Sequence, residues 1–359
     1  MNIALAHDSF TQLGGAERVV DAFHELYPEA PVFTLVLDKK LKGRYGSWDI
    51  RTSWLQILYN FIPKLQYLLP FIPPAVSSLN FSGYDVVLSS SSGFIKNIKV
   101  PKNTIHINYC HTPARFLWSE PEYVDQEVPF FIRPLIKLFL SRMKKWDYRR
   151  AQRVTFFIAN SKEVQKRISE YYHRESVVIH PGVDTNFWKS TADKSNYFLL
   201  AGRLQAHKNN EMIIELFKEL VLPLHVVGTG RQESYLKSVA RPNITFYGRL
   251  ADEELRDQYS GAVAFLYPQV EDFGLMPLEA AACGTATIAY AKGGALETVA
   301  PEVTGELFES SDDLKKTVSN WQPQKYKADV LQLQAEKFSR EIFKEKVVNF
   351  IKASYENRN

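Results

Sequence analysis

Short apolar runs alternate with longer segments of helical periodicity along the whole chain, and this alternation limits the possible folds more than any other feature. It is typical of βα units, in which successive strands form a parallel sheet covered by helices. Strands are predicted at residues 3–6, 84–89, 104–109, 154–159, 177–180, 197–201, 224–227, 244–247, 262–267 and 285–290. Helices are predicted between them, for instance at residues 210–220 and 252–259, and an amphipathic helix covers residues 339–355. The expected class is α/β.

The length of 359 residues is too great for one ordinary hydrophobic core and suits two domains. The predicted strands fall into two sets, separated by a polar stretch at residues 189–196 that has the composition of a linker. We therefore predict a first domain at residues 1–188, a second at residues 189–338 and a terminal helical segment at residues 339–359. In open parallel sheets, ligands bind beyond the carboxyl ends of the strands, so functional residues are expected directly after strands.

The composition is that of a globular protein, with 45% hydrophobic and 23% charged residues. The formal net charge of +4, from 44 Lys and Arg against 40 Asp and Glu, gives no reason to expect a nucleic-acid partner. Only two cysteines occur, Cys110 and Cys283, which favours a reducing, cytoplasmic compartment. Residues 1–8 are expected to form a strand rather than a signal peptide. Residues 54–74 and 129–140 are apolar, but proline and basic residues interrupt them too often for a membrane span.

The most informative motif follows the strand that ends at Tyr267 and contains two glutamates eight positions apart, Glu271 and Glu279. Pro277 fits only the first turn of a helix, which places Glu279 about one turn into that helix. The backbone amides around Gly274 then lie at a helix N-terminus and are suited to a diphosphate, while a carboxylate can bind sugar or ribose hydroxyls. A capping carboxylate plus an exposed glutamate would explain the motif equally well.

A second motif, residues 202–208, follows the strand at residues 197–201 and contains Arg203 and Lys208. A guanidinium and an ammonium in one loop can neutralise the charge that develops on a departing diphosphate without a metal ion. A solvated basic loop is the plainer explanation.

A third motif, Gly14 and Gly15, follows the first strand and allows a backbone to approach a ligand at a helix N-terminus. A tight turn without a ligand is the alternative. The G-x-G-x-x-G fingerprint is absent, also around Gly228 and Gly230, so a nicotinamide cofactor is not expected. No Asp-x-Asp sequence and no cluster with metal-ligand spacing occurs, and metal-independent catalysis is the working hypothesis.

Taken together, these motifs resemble the retaining glycosyltransferases of family 4. The resemblance covers nearly the whole chain and is strongest over residues 197–305, where Glu271 and Glu279 match the E-x7-E signature and residues 293–297 match Gly-Gly-x-x-Glu. Residues 180–184, His-Pro-Gly-Val-Asp, are similar to the usual Pro-Asn-Gly-Val-Asp turn, with proline in the place of asparagine. The resemblance implies the GT-B fold, that is, two Rossmann-like domains facing a cleft, with the C-terminal helix returning to the N-terminal domain.

The same resemblance implies roles for individual residues. Arg203 and Lys208 would hold the donor diphosphate, Glu279 the ribose and Glu271 the transferred sugar. The remaining donor-binding residues would be Gly14, Gly15, Gly248, Arg249, Phe273, Gly274 and Leu275. The first domain would bind the acceptor and the second a nucleoside-diphosphate sugar, which is a co-substrate, so that no cofactor is needed.

Residues 110–118, Cys-His-Thr-Pro-Ala-Arg-Phe-Leu-Trp, resemble a segment of bacterial mannosyltransferases that build O-antigen and exopolysaccharide repeats. His111 matches the active-site histidine that the family places near the sugar, although an isolated histidine is more often a core residue. Arg115, Trp118 and Tyr123 are candidates for an acceptor surface, because sugars pack on aromatic faces; interior packing is the alternative.

Residues 133–153 contain eight basic residues and one acid, Asp147, with apolar residues interleaved. Such a segment can lie on an anionic membrane surface, and an ordinary helix with its apolar stripe in the core is equally compatible. A peripheral position at the inner face of the plasma membrane is one expectation.

Three functions remain open at this point. The first is a hexosyltransferase of cell-surface polysaccharide synthesis, with GDP-mannose as the best donor and a saccharide or lipid-linked saccharide as acceptor. A UDP-sugar donor, with glucose, galactose or an N-acetylhexosamine as the sugar, is the alternative within this class. The others are a nucleotide-sugar epimerase of the same fold, which needs no acceptor, and a non-catalytic binding protein, which would not need Arg203, Lys208, Glu271 and Glu279 together.

Overall fold

The computed structural model describes residues 1–119 and 133–357. The residues group into two compact units, one formed by residues up to His180 together with those from Lys344 onward, the other by Pro181–Phe343. The boundaries predicted at residues 188 and 338 for functional domains stay predictions. Among the described residues, no helix combines the length and the apolar character that crossing a bilayer requires.

The first unit is built on a seven-stranded sheet in which all neighbouring strands are parallel, in the order β3-β2-β1-β4-β5-β6-β7. Its strands are β1 (Ile3–His7), β2 (Val32–Thr34), β3 (Ile50–Thr52), β4 (Val86–Ser91), β5 (Ile105–Cys110), β6 (Phe156–Ala159) and β7 (Ser176–Val178). Strands β1, β4 and β5 lie in the middle of the sheet and are buried over their whole length, as expected for a sheet covered on both faces.

Helices cover this sheet and connect its strands. They are α1 (Gly15–Leu26), α2 (Leu55–Phe61), α3 (Ile72–Ser78), α4 (Arg115–Trp118), α5 (Arg133–Ala151) and α6 (Lys162–Tyr172), with 3-10 helices at Lys39–Leu41, Leu65–Phe71 and Ile95–Asn97. Helix α6 shows why such segments begin where they do: the hydroxyl of Ser161 accepts a hydrogen bond from the amide of Val164, which satisfies one free donor of the first turn.

The second unit contains a six-stranded parallel sheet in the order β10-β9-β8-β11-β12-β13. Its strands are β8 (Phe198–Ala201), β9 (Leu224–Val227), β10 (Ile244–Gly248), β11 (Ala264–Tyr267), β12 (Thr287–Tyr290) and β13 (Gly305–Phe308). Its helices are α7 (Asn210–Leu220), α8 (Glu233–Val239), α9 (Asp252–Gly261), α10 (Leu275–Ala282), α11 (Ala295–Thr298), α12 (Ser311–Ser319) and α13 (Ala328–Glu336), with 3-10 helices at Ala206–Lys208 and Pro323–Lys325. The α/β class with two Rossmann-like sheets is confirmed.

The last helix, α14 (Arg340–Glu356), begins in the second unit and continues in the first. At its start, the amide of Arg340 donates to the carbonyl of Val183, and a Cβ on Gly182 would lie 2.5 Å from the Cα of Arg340. This close backbone approach explains the glycine of the His-Pro-Gly-Val-Asp turn. Further along, Phe350 packs edge-on against Phe156, with ring centroids 6.0 Å apart.

Candidate active site

The loop after β8 carries the basic pair that the sequence singles out. Gly202 adopts φ = +136°, which glycine tolerates, and Arg203 follows it as an exposed residue at the carboxyl end of the sheet. The 3-10 helix Ala206–Lys208 then returns toward the sheet and buries Lys208. The backbone of Gly228 lies against this turn, since a Cβ there would be 1.8 Å from the carbonyl oxygen of Gly202. The glycines after β9 therefore support the basic loop.

The loop after β11 ends in the predicted helix N-terminus. Gly274, with φ = +86°, is the N-cap residue, and α10 begins at Leu275. Pro277 is the third residue of the helix, so its missing N–H costs no hydrogen bond, and its predicted place in the first turn is confirmed. Gly274 has no side chain to occupy the first amides of α10. These amides are suited to an anion.

An ion pair joins the two loops: the ammonium group of Lys208 contacts Oε1 of Glu271. The side chain of Lys208 is almost fully buried, whereas that of Glu271 is 31% exposed. A buried cation needs a compensating anion, so Lys208 is held in place by an acid that solvent, and hence a ligand, can reach. The two motifs, which lie 63 residues apart in sequence, thus form one site.

The Gly-Gly-x-x-Glu element fixes the position of the Glu271 loop. The amide of Gly294 donates to the carbonyl of Glu271 at 2.8 Å. A Cβ on Gly293 would lie 2.5 Å from that carbonyl oxygen, and one on Gly294 would lie 2.0 Å from the carbonyl oxygen of Phe273. Only glycine allows this backbone-to-backbone contact.

Buried polar residues lie next to the ion pair. Glu279, on α10, is 4% exposed, and Gln269, which the sequence analysis missed, is 6% exposed. The amide oxygen of Gln269 is 3.6 Å from the position of a Cβ on Gly202, so Gln269 lies between the two loops. Burial, and then the charge of Glu271, raises the pKa of Tyr267 far above its usual value, so its hydroxyl stays protonated. Gln269 directly follows Pro268 after β11, and its position after a strand is the one signal that could have identified it.

Gly248 ends β10 and Arg249 follows it, at the same edge of this sheet. Gly248 has φ = +68°, and its carbonyl oxygen accepts a hydrogen bond from the amide of Gly228 at 2.6 Å. Gly228 in turn contacts Gly202, so one glycine turn connects the loops after β8, β9 and β10. The side chain of Arg249 is exposed there.

In the first unit, Gly14 and Gly15 form the turn between β1 and α1. Gly14 is the N-cap of α1, and Glu17 in the first turn of that helix is buried. A Cβ on Gly14 would lie 3.2 Å from Oε2 of Glu17, so this carboxylate lies against the glycine turn.

His111 follows β5 and belongs to a buried chain of polar groups. Its Nε2 is joined by a hydrogen bond of 2.8 Å to the hydroxyl of Ser90, which also lies 3.3 Å from Nδ1 of His7. Nε2 of His7 is 3.6 Å from Oε1 of Glu17. Burial, and then the nearby His7, lowers the pKa of His111 to about 3, so the ring is neutral at neutral pH. His7, Ser90 and Glu17 are additions to the predicted site.

The predicted acceptor residues have different surroundings. Trp118, on α4, donates its indole N–H to Oδ2 of Asp147 at 2.9 Å and stacks on Tyr171, with centroids 5.3 Å apart. Arg115 is half-buried in the first turn of α4. Tyr123 lies outside the described residues. Trp118 thus packs in the protein, and an acceptor surface at these residues stays a prediction.

Asp147 is fully buried in α5, and Trp118 is only one of the groups that it binds. It also accepts hydrogen bonds from the ammonium of Lys96 at 2.6 Å, from the amide of Asn97 at 2.8 Å and from the hydroxyl of Tyr172 at 2.8 Å. A buried carboxylate with four donors is compensated, so it fixes α4 and α6 against α5.

The two sheets thus carry two sets of polar groups, each at the carboxyl ends of central strands. The set in the second unit combines two cations, two carboxylates and a helix N-terminus, which suits a diphosphate next to hydroxyl groups. Within the described part of the chain, no group of three or more His, Cys, Asp or Glu side chains is arranged to hold a metal ion.

Comparison with known families gives two matches. Residues 13–187 match the family described as "Glycosyltransferase Family 4", and residues 182–337 match the one described as "Glycosyl transferases group 1". Together the matches span residues 13–337, and they confirm the predicted family.

Several curated relatives are named as mannosyltransferases. The chain is 35% identical over 126 residues to a GDP-mannose-dependent monoacylated alpha-(1-6)-phosphatidylinositol monomannoside mannosyltransferase of Corynebacterium glutamicum, over 31% of this chain and 33% of that one. It is 26% identical over 164 residues to the O-antigen chain mannosyltransferase RfbU of Salmonella typhimurium, over 42% and 46%. The alpha-1,3/1,6-mannosyltransferase ALG2 of Dictyostelium discoideum is 23% identical over 86% of both chains. The matches with the first relatives span a third to a half of those relatives' length.

Solved structures resemble nearly the whole chain. HepE of Anabaena, in complex with UDP, matches with a TM-score of 0.73 and 18% identity, over 98% of this chain and all of that one. Sucrose-phosphate synthase of Thermosynechococcus elongatus matches with a TM-score of 0.74 and 17% identity, over 99% of both chains. At these identities the likeness shows the fold, and it confirms the predicted GT-B class.

Proposed function

The chain belongs to glycosyltransferase family 4, and we propose that it is a glycosyltransferase that transfers mannose from GDP-mannose. The acceptor in this proposal is a saccharide or a lipid-linked saccharide of a cell-surface polysaccharide. The names of the Corynebacterium and Salmonella relatives, which include GDP-mannose and the O-antigen chain, support this choice of donor and acceptor. The contact between Lys208 and Glu271 carries the proposal, because it combines a phosphate-binding cation and a hydroxyl-binding acid in one site.

In the proposed donor complex, Arg203 and Lys208 bind the diphosphate, and the amides of Phe273, Gly274 and Leu275 donate to phosphate and sugar oxygens. Glu279 binds the ribose hydroxyls, and Glu271, once the phosphate replaces it beside Lys208, accepts hydrogen bonds from the sugar. Gly248 and Arg249 line the base pocket, and Gly14 and Gly15 approach the phosphate from the first unit. These are the roles that the family resemblance implies, and each suits the charge or the backbone amide that the residue carries.

The proposed reaction breaks the bond between the anomeric carbon and the phosphate oxygen, and the electron pair leaves with GDP. Arg203 and Lys208 stabilise the negative charge that develops on the leaving group, so no metal ion is required. The acceptor hydroxyl attacks the anomeric carbon from the face that the phosphate leaves, so the anomeric configuration is retained. The proton of that hydroxyl passes to the departing phosphate. Because its lowered pKa keeps His111 neutral at neutral pH, His111 contributes a hydrogen bond to the sugar rather than a charge.

The proposal includes an anionic membrane as a partner, because lipid-linked acceptors reside there. Helix α5 contributes the basic residues for this contact: seven lysines and arginines, with Asp147 as its one acid. Asp147 is buried against Lys96, so it does not oppose anionic headgroups.

A second donor class has specific support. HepE, the structural neighbour, has been solved with UDP-glucose at a TM-score of 0.70, so a UDP-sugar is the alternative donor. The bases differ in their hydrogen-bonding edges, and contacts at Gly248 and Arg249 would decide between them.

The test is a donor screen with purified protein. Thermal shifts are measured with GDP, UDP, GDP-mannose and UDP-glucose, followed by turnover on a lipid-linked saccharide extract with and without EDTA. The proposal expects stabilisation by GDP and GDP-mannose, turnover in EDTA and an α-linked product by NMR. Stabilisation by UDP alone selects the alternative donor, a β-linked product excludes retention, and turnover of the donor without acceptor to a new nucleotide sugar indicates an epimerase.

A further inference from the structure

A cluster of large apolar side chains is exposed on the first unit. It is formed by α2 and the 3-10 helix Leu65–Phe71, and we call it the apolar surface. Its members are Trp54, Ile57, Phe61, Ile62, Tyr67 and Phe71. Phe61 is 81% exposed, Ile57 62% and Tyr67 61%, whereas large apolar side chains are normally exposed singly. Trp54 and Phe71 contact edge-to-face at 6.3 Å, so the two helices form one surface.

Core packing does not account for these side chains. Helix α2 already buries Leu55 and Tyr59, spaced four residues apart, in the core of the first unit. Ile57 and Phe61 have the same spacing on another face of the helix, and that face is exposed. One apolar face of α2 therefore packs in the core, and the other is available to a second apolar environment.

The segment that forms the apolar surface carries charges of one sign. No Asp or Glu occurs from Arg51 to Tyr84, and Lys64, which lies between the two helices in sequence, is exposed, with its ammonium 5.7 Å from the ring of Tyr67. Lysine, tyrosine and tryptophan combine an apolar body with a polar end, as interfacial residues of membrane-bound proteins do.

The basic helix α5 packs over the same core. Phe139, Leu140 and Trp146 of α5 contact the cluster that also receives Leu58 and Leu65 from the elements of the apolar surface. The α5 helix adds its own exposed side chains, Leu135 and Leu138, 67% and 50% exposed. Both elements thus pack on one core cluster, and neither carries an exposed acid.

We infer that the apolar surface inserts into the interfacial layer of an anionic lipid bilayer, with the basic residues of α5 against the lipid headgroups. Side chains that protrude as far as Phe61 fit a fluid partner better than a rigid one. A symmetric contact with a second copy would bring Lys64 and α5 against their own counterparts, which like charges oppose. Free energy of insertion comes from burying these side chains, and attraction to anionic headgroups adds to it.

This inference deepens the proposed function, since it names the surface that brings the enzyme to lipid-linked acceptors. Helix α2 begins three residues after Thr52, the last residue of β3. The carboxyl ends of the parallel strands lie on one side of the sheet, and His7 and His111 lie at the carboxyl ends of β1 and β5 on that side. A headgroup-linked saccharide at the apolar surface is therefore on the same side of the sheet as the proposed acceptor-binding residues.

The test is co-sedimentation of the full chain with vesicles of phosphatidylcholine alone or with about 30% phosphatidylglycerol. Wild type is expected to bind the anionic vesicles, and the double variant Ile57→Ser/Phe61→Ser to partition about tenfold or more weakly. Leu333→Ser is the matched control, because Leu333 is a 68% exposed apolar residue of α13 in the second unit. Equal binding by the double variant and wild type would overturn the inference.

A label locates the inserted surface. Both native cysteines, Cys110 and Cys283, are buried, so an environment-sensitive fluorophore attaches selectively at Ile57→Cys or, as a control, at Leu333→Cys. Anionic vesicles should shift the emission of the label at position 57 to shorter wavelength and leave the label at 333 unchanged. A shift at position 57 that appears without vesicles, as protein concentration rises, would show self-association and contradict the inference.

The outcome is separable from that of the proposed function. Vesicle binding requires no donor, and stabilisation by GDP is measured on every variant without lipid. Vesicle binding without stabilisation by any nucleotide would refute the proposed sugar transfer and leave this inference standing. Stabilisation by GDP with no binding to anionic vesicles would refute this inference and the membrane partner, and leave the proposed sugar transfer standing.

Discussion

Lys208 is the residue on which the proposed donor site depends most. It is buried, and its charged partner Glu271 remains accessible to solvent. In Lys208→Ala the carboxylate of Glu271 is left to water, so the fold should persist, but the leaving group loses a cation. We expect kcat to fall about a hundredfold or more, with the melting temperature little changed.

Steady-state kinetics and thermal melting measure both effects. The matched control is Lys218→Ala, whose ammonium forms a surface pair with Glu215 on α7 and which should retain full turnover. Near-normal rates in Lys208→Ala would mean that the donor site is misplaced. Glu271→Ala should show the same pattern of lost turnover and retained fold.

Ser90 connects His111 to His7 and so positions the imidazole ring. Ser90→Ala should lower kcat about tenfold, because the ring loses the hydrogen bond that fixes its orientation. Ser91→Ala is the control: Ser91 is equally buried but bonds Asn108. Both variants should lose about 1–2 kcal/mol of unfolding free energy. Equal turnover of the two variants would exclude a positioning role for Ser90.

Two buried histidines make stability depend on pH. Burial lowers the pKa of His106 to about 3, as it does for His111, whereas both take up protons near pH 6.5 when unfolded. Protonation therefore favours the unfolded chain, and stability present above pH 6.5 is lost as pH falls toward 3. Between pH 7 and pH 5 the free energy of unfolding of His106→Gln should fall by about 2 kcal/mol less than that of wild type, as measured by denaturant unfolding. Equal losses would contradict this assignment.

At the scale of elements, the Gly293–Gly294 turn holds the Glu271 loop. Gly294→Ala places a methyl group 2.0 Å from the carbonyl oxygen of Phe273, so the loop must shift and stabilisation by GDP should be lost. Gly43→Ala is the control, since a Cβ there meets no atom within 4 Å. Thermal melting with and without GDP measures both variants, and an unchanged GDP shift in Gly294→Ala would contradict the proposed role of the turn.

Long central elements could be predicted from the sequence, whereas three short strands at or next to sheet edges could not. Helix α7 occupies Asn210–Leu220 as predicted, because its apolar periodicity is strong. Strands β2, β3 and β13 were missed; they are three or four residues long, and they lie at or next to sheet edges. In β3, Arg51 and Thr52 are exposed, so pairing with a neighbour rather than an apolar run defines the strand.

The positions of the candidate site residues could be predicted where motifs follow strands. Arg203, Lys208, Glu271 and Gly274 lie in such loops, and their residue types indicate the chemistry. The support of these loops could not be predicted, since it depends on contacts distant in sequence. The His7–Ser90 contact joins residues 83 positions apart and follows from the register of β1 and β4.

At the scale of the whole molecule, the two family matches fall on the two parts of the chain that carry the two parallel sheets. The cations and carboxylates proposed for the donor belong to the second unit, and Gly14, Gly15 and His111 belong to the first. The proposed function requires both sets to serve one nucleotide sugar. In this proposal the strand ends of the second sheet bind the leaving group, and those of the first sheet bind the acceptor.

A crystal structure with GDP-mannose tests this account most directly. The pyrophosphate is expected within about 3 Å of Arg203, Lys208 and the amides of Gly274 and Leu275, with the ammonium of Lys208 turned from Glu271 to phosphate. A nucleotide bound elsewhere, with Lys208 still paired to Glu271, would contradict it.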